Sequence, residues 1–399
     1  MNPRSLNAVS TDPGTAVLDR ARALVPVLAA RAAETERQRR VLDSTIADFH
    51  RSGLFRVLQP RRFGGLELDF SVFALITREL AHGCASSAWV YCVIEELFWV
   101  LATFPEEAQT EIWGEDPAAL ACAALLPTGT GFKDGDGWRV SGEWGFLSGS
   151  DHAAWVFLTA ACDDGKGGRE IRNFFVRAAE VQFVDDWHVF GLAGTGSKSC
   201  KADNVRVPAH RSVRYDDLLG GTAPGRRVHP QYSLCRAPRR YLTTFSITPV
   251  IVGLANRALE LTTDMLRSRV NSGAMPNEFE VVQQKIAESS AEVATANLIL
   301  ESHLRDSVAA IDAGLPIGDQ EVSRNRLMSS YMVRQSMQAI QRLCSLSGSH
   351  WVYNSHPMQV ILRDAMAGAS HRGFNWETNA RAYSQSIGIA KSGAPPVWP

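Results

Sequence analysis

The sequence predicts a chain of three parts: an N-terminal α-helical domain over residues 1–117, a central β-barrel over 118–231 and a C-terminal four-helix bundle over 232–399. Three observations predict it. Apolar residues recur at helical spacing as far as Trp113. Between Ala119 and Val213 the texture changes to short runs of strand composition, separated by Gly, Asp and Pro clusters. Beyond Pro238 the helical period returns in four long blocks, as an antiparallel bundle requires.

The first helix is read from Val17, Leu18, Ala21, Leu24, Val25 and Leu28, which share one stripe, with Pro26 as a point where it could kink. Ser44 is positioned to cap a second helix that stops at Gly53, and Ser71 a third over 72–82. Between these two, Pro60, Gly64 and Gly65 supply turn chemistry. The apolar run 85–103 is long enough to suggest a membrane span, but Glu95 and Glu96 in its middle argue for a buried soluble helix. The strand runs are LACAALL, GWRVSGEW, AAWVFLTA, IRNFFVRA and NVRVP, with turns at KDGDG and CDDGKGG. The polar, Gly-rich stretch 218–231 reads as a linker, and the bundle helices as 240–270, 278–313, 319–346 and 357–387.

Composition excludes several functions. With 399 residues, 41 Lys+Arg against 42 Asp+Glu and 45% hydrophobic residues, the chain is globular, has room for more than one core and lacks the basic excess that nucleic acid or an anionic membrane would need. Its partners are therefore expected to be small molecules or proteins. Seven cysteines without a CxxC pair, and no His cluster at zinc spacing, read as reduced core thiols of a cytoplasmic protein with no metal. Residues 1–14 lack the architecture of a secretory signal.

There is no GxSxG elbow, Walker loop, HExxH or strand-to-helix GxGxxG. Two other patches stand out. In 142–153, GEWGFLSGSDHA, a strand bearing aromatics ends at Ser148, Gly149 and Ser150, where hydroxyls and free N–H groups beside flat rings suit a planar ligand. A strand-to-turn transition with a satisfied serine is the plainer reading. In RDAMAGASH, His371 follows Asp364 by seven residues, which on one long helix would put both on one face. A lone histidine there is more often structural. GLAGTGS, 191–197, read alone is a tight turn.

In their order and spacing these segments, with FGG after the second helix, PTG at 127–129 and HPMQVILRDAMAGASH, resemble the acyl-CoA dehydrogenase superfamily over nearly the whole chain. Within it, the chain is similar to two-component flavin-dependent monooxygenases, such as those acting on 4-hydroxyphenylacetate and on steroid rings. The resemblance implies a flavin between barrel and bundle, with Ser148 at flavin N5 and Phe146, Leu147, Thr195, Gly196 and Ser197 beside the cofactor. It implies that Ser347, Gly348 and Ser349 reach a cofactor across a subunit interface, and that His371 is the active-site histidine. Leu97, Ala123, Arg236 and Trp144 fall at substrate positions. Where phenol hydroxylases carry a histidine and a serine, this chain has Leu97 and Ala123, which suggests a substrate without a 4-hydroxyphenyl handle.

A dehydrogenase needs a carboxylate base, yet the matching position is Arg372, which stays protonated at neutral pH. The oxygenase reading follows. The resemblance then implies reduced FMN or FAD and O2 as cofactors, oxygen addition at flavin C4a, hydroxylation of an aromatic or heteroaromatic small molecule, a separate NAD(P)H:flavin reductase and a homotetramer. N- or S-oxygenation is the alternative on the same fold, and a non-catalytic helical-bundle protein the alternative from another class.

Overall fold

The computed structural model describes residues 12–163, 167–273 and 279–389. Residues 1–11, part of the expected CDDGKGG turn and Glu278 at the start of the second bundle block lie outside them.

Asp12 accepts the Thr15 N–H at 2.8 Å and Pro13 follows it, so α1 (Pro13–Gln38) starts there and continues through Pro26. The expected serine caps move. Leu42 stands at the N-cap of α2 (Asp43–Arg51), leaving Ser44 inside the helix. Asp69, whose carboxylate accepts the Ser71 and Val72 N–H groups, caps α3 (Phe70–Gly83) in place of Ser71. A carboxylate placed before the first turn is the stronger acceptor there.

α4 (Ala85–Ala102) is the buried helix expected, and its two glutamates explain themselves. Glu95 accepts the Leu58 N–H at 2.7 Å, while Glu96 pairs with buried Arg239 at 2.7 Å. Each carboxylate fastens a segment from elsewhere in the chain onto the helix. After α5 (Glu106–Glu115) come β1 (Ala121–Asp134), β2 (Gly137–Leu147), β3 (Trp155–Asp163), β4 (Arg169–Arg177), β5 (Gln182–Val184), β6 (Lys198–Pro208) and β7 (Ser212–Arg214). They form one seven-stranded sheet, ordered β5-β6-β2-β1-β3-β4-β7, the central barrel of the expectation left unpaired between its edge strands. Strand alternation divides its side chains between two cores. Trp138, Val140, Trp144, Leu147, Val156 and Phe174 fill the sheet's own interior, whereas Ala123, Trp155, Phe157 and Phe175 join the helical core around α4.

The expected linker is a packed strap carrying α6 (Tyr215–Gly220) and α7 (Gly225–Val228). Gly225 donates its N–H to Thr103 O at 2.7 Å, and just past the stretch the Tyr232 hydroxyl reaches Leu58 O and Leu68 O. The buried His229 ring meets Gln109 Oε1 at 2.6 Å, so the stretch is held by distant partners, which composition cannot foretell.

After the single turn α8 (Arg239–Leu242), the bundle contains α9 (Thr244–Asn271), α10 (Phe279–Asp312) and α11 (Asp319–Leu346). The fourth expected helix is two: α12 (Pro357–Ala369) and α13 (Trp376–Ser386), separated by the 3-10 turn Arg372–Phe374. The His371 side chain accepts from Gly373 N, and Asn375 caps α13 through Thr378 N. These local side-chain bonds compete with helix continuation.

Candidate functional site

α4 carries Trp89 to the place where sheet and bundle meet. Its indole N–H donates to Ser148 Oγ at 3.2 Å, just beyond the end of β2, while its ring lies edge-on to His371 with centroids 6.3 Å apart. α12 closes on the same ring. A side chain on Gly368 would collide with Ile251 and crowd Trp89, so the helix approaches this near only with glycine there.

Ser148 heads a row of buried hydroxyls. Ser148 Oγ lies 2.7 Å from Ser197 Oγ, which lies 2.7 Å from Thr195 Oγ1, and Thr195 donates to Leu192 O at 2.8 Å. Gly149 N–H bonds Thr195 O and the Ser150 hydroxyl bonds Gly196 O, so the end of β2 and the GLAGTGS loop form one unit. The bundle pins that unit. Leu192, at φ +53, donates its N–H to Asp364 at 2.6 Å, Arg363 bonds Phe190 O at 2.6 Å, and a side chain on Gly191 would strike Arg363 O. Burial pushes the Asp364 carboxyl up to about 7. Asp364 thus serves the loop and does not share a helical face with His371, because the helix ends before His371.

His371 is itself fixed by this break. Its Nδ1 accepts the Gly373 N–H at 3.1 Å, which places the proton of the neutral ring on Nε2. Burial, reinforced by the neighbouring Arg372 charge, pushes its pKa down to about 4. At neutral pH the ring is uncharged and offers Nε2–H as a donor.

The other expected site residues divide. Phe146, at φ +65, is 72% exposed with its ring against Trp187, 5.8 Å between centroids. Leu147 and Trp144 point into the sheet's interior, and the Trp144 indole N–H bonds Thr159 O at 2.8 Å. That corrects the substrate role expected of Trp144 and leaves Leu147 able to meet a ligand through its backbone alone. Leu97 and Ala123 are buried in the helical core, Leu97 beside a small void walled by Phe98, Trp113, Trp155 and Phe175. Arg236, expected at a substrate mouth, reaches Asp312 O at the end of α10. A helix C-terminus attracts a guanidinium in the same way as a ligand anion does. Ser347, Gly348 and Ser349 follow α11 and make no hydrogen bond to the Ser148 row among the described residues. Trp89 is the site residue that the sequence reading missed. Its only signal is an indole N–H in an apolar helix, which Trp99 shares.

These residues fit a flavin. An exposed aromatic at a positive φ, a buried hydroxyl with acceptor capacity and a neutral imidazole donor suit a flat, hydrogen-bonding ring system. Among the described residues no group of His, Cys, Asp and Glu could hold a metal ion.

Helical domain, sheet and bundle in this order, with a hydroxyl row at their junction, define an acyl-CoA dehydrogenase fold. The N-terminal domain of acyl-CoA dehydrogenase matches residues 12–119 and the C-terminal domain residues 245–376. The oxygenase component of FADH(2)-dependent resorcinol hydroxylase from Rhizobium sp. (strain MTP-10005) is 34% identical over 389 residues, 94% of this chain and 95% of the relative. The oxygenase subunit HsaA of a flavin-dependent monooxygenase from Mycobacterium tuberculosis is 33% identical, over 87% of this chain and 89% of its own length. The crystal structure of the M. tuberculosis HsaA monooxygenase superposes with a TM-score of 0.90 at 30% identity, covering 95% of this chain and 100% of that one. The chain therefore belongs to the acyl-CoA dehydrogenase family, in its branch of flavin-dependent monooxygenase oxygenase components.

Proposed function

We propose that this protein is the oxygenase component of a two-component system, using reduced FMN or FAD and O2 to hydroxylate an aromatic or heteroaromatic small molecule. The observation that carries the reading is the pairing of Ser148 and neutral His371 on either side of Trp89, with Arg372 where a dehydrogenase needs a carboxylate. Reduced flavin, when bound, supplies two electrons to O2, so that one oxygen atom enters the substrate and the other leaves as water. The chain's own residues do the rest. Ser148 accepts a hydrogen bond from flavin N5–H, His371 donates Nε2–H toward the oxygen or the substrate, and the apolar surroundings of α4 keep water out. Apolar Leu97 and Ala123 favour a substrate without a phenol handle at that position.

The reducing equivalents come from a separate reductase. Seven buried, unpaired cysteines support a reducing, cytoplasmic setting. Exposed Phe146, Phe190, Tyr353 and Met366 support a homo-oligomer, read as a tetramer from the resemblance. The test mixes the protein with chemically reduced FMN or FAD and air-saturated buffer containing phenols, indoles or fused aromatics. Mass spectrometry should detect a product with one added oxygen. Hydrogen peroxide as the sole product with every compound and both flavins would sink the proposal.

A further inference from the structure

The hydroxyl row has a direction. A carbonyl oxygen cannot donate, so the hydrogen in the 2.8 Å contact between Thr195 Oγ1 and Leu192 O is that of Thr195. Without it two oxygens would face each other at hydrogen-bond distance and repel. Thr195 has no second hydrogen, so in its 2.7 Å contact with Ser197 it accepts and Ser197 donates. By the same count, Ser148 donates to Ser197. The Trp89 indole, a donor only, fills one acceptor position of Ser148. Ser148 therefore keeps one acceptor position and no hydrogen. Ser148, Thr195 and Ser197 are at most 4% exposed, so bulk water does not reorient them. The end of the row is fixed as well: the Trp187 indole N–H also bonds Leu192 O, and Asp364 holds Leu192 N.

We infer that Thr195 and Ser197 are positioning residues that make Ser148 an obligate acceptor, so that the site selects reduced over oxidised flavin. The inference rests on the placement of flavin N5 against Ser148. Reduced flavin carries a hydrogen on N5 and completes the row, whereas oxidised flavin presents a lone pair there, which the remaining acceptor position of Ser148 repels. The same polarity that admits the reduced form expels the oxidised form after turnover. This matters in a two-component system, where flavin arrives and leaves as a diffusing molecule.

The readout is the ratio of Kd values for oxidised and reduced flavin, by calorimetry in air and under anaerobic reductant, with no turnover involved. Thr195→Val removes the anchoring hydrogen at nearly constant shape, so the row can reverse and Ser148 can donate. The ratio should fall about tenfold, the size of one hydrogen bond, chiefly through tighter binding of oxidised flavin. Thr195→Ser should keep the wild-type ratio, and Ser197→Ala should lower it by freeing the Ser148 hydrogen directly. A merely structural role would weaken both forms alike, and an unchanged ratio in Thr195→Val and Ser197→Ala overturns the inference. The wild type provides an independent arm should a variant fold poorly. Oxidised 5-deazaflavin bears C–H in place of the N5 lone pair and should bind about tenfold more tightly than its parent. Equal affinity would overturn the inference too. Failure of the wild type to bind any flavin would instead refute the functional reading beneath it.

Discussion

At the scale of single residues, the junction shows how burial sets protonation. His371, pushed down to about 4, is neutral across the physiological range, so its contribution should show no inflection between about pH 5 and 8. His371→Ala should leave reduced-flavin affinity nearly unchanged and slow product formation by roughly 10²- to 10⁴-fold, measured with saturating reduced flavin. Asp364 is displaced the other way, from an ordinary 3.8 to about 7. Between those values the folded state holds a proton that the unfolded chain has lost, so this group's contribution to stability falls as pH rises through the window. Asp364→Asn keeps an acceptor for Leu192 N–H and does not titrate. Its stability relative to the wild type should increase from about pH 4 to about pH 7 in urea denaturation; a flat difference would show that Asp364 ionises freely in the fold. His371 acts oppositely, since the unfolded chain takes up a proton first below its ordinary value of 6.5. The comparison of variant with wild type isolates Asp364.

At the scale of elements, α4 organises the molecule through two carboxylates and an indole. The Glu96–Arg239 pair is buried, with side-chain exposures of 9% and 7%, so removing one partner strands the other's charge. Glu96→Ala should cost about 3–5 kcal/mol in chemical denaturation. A loss below about 1 kcal/mol would mean that water reaches Arg239. The element boundaries were legible in large part, because α1, α3, α4 and the blocks of α9, α10 and α11 announce themselves by period. The break after α12 was not. One helical pattern crosses 357–387, and only the His371 and Asn375 side-chain bonds to nearby N–H groups divide it. The strap at 218–231 misled for a related reason: turn-rich composition is the same whether the segment is solvated or packed.

At the scale of the whole molecule, the exposed aromatics have a consequence for assembly. Phe146, Phe190 and Tyr353 are 72%, 57% and 61% exposed, apolar ring surface that a neighbouring subunit would cover. The protein should run as a homo-oligomer in light scattering at micromolar concentration, with reduced flavin or without. A monomer that turns over would remove the need for a neighbouring subunit at the site.

The sequence by itself determined the order of helices, sheet and bundle, because hydrophobic period is a local property that survives in the unfolded chain. Motif order carried the family, and the segments around Ser148, 195–197 and His371 carried the candidate site. Tertiary structure alone decided which of those side chains meet. It chose Trp89 over Trp99 as the link between Ser148 and His371, turned Trp144 inward, tied Arg236 to α10 and gave Asp364 to Leu192. Each choice depends on which donor faces which acceptor across segments distant in the chain. Hydrogen-bond satisfaction in a closed interior settles that only once the elements have packed.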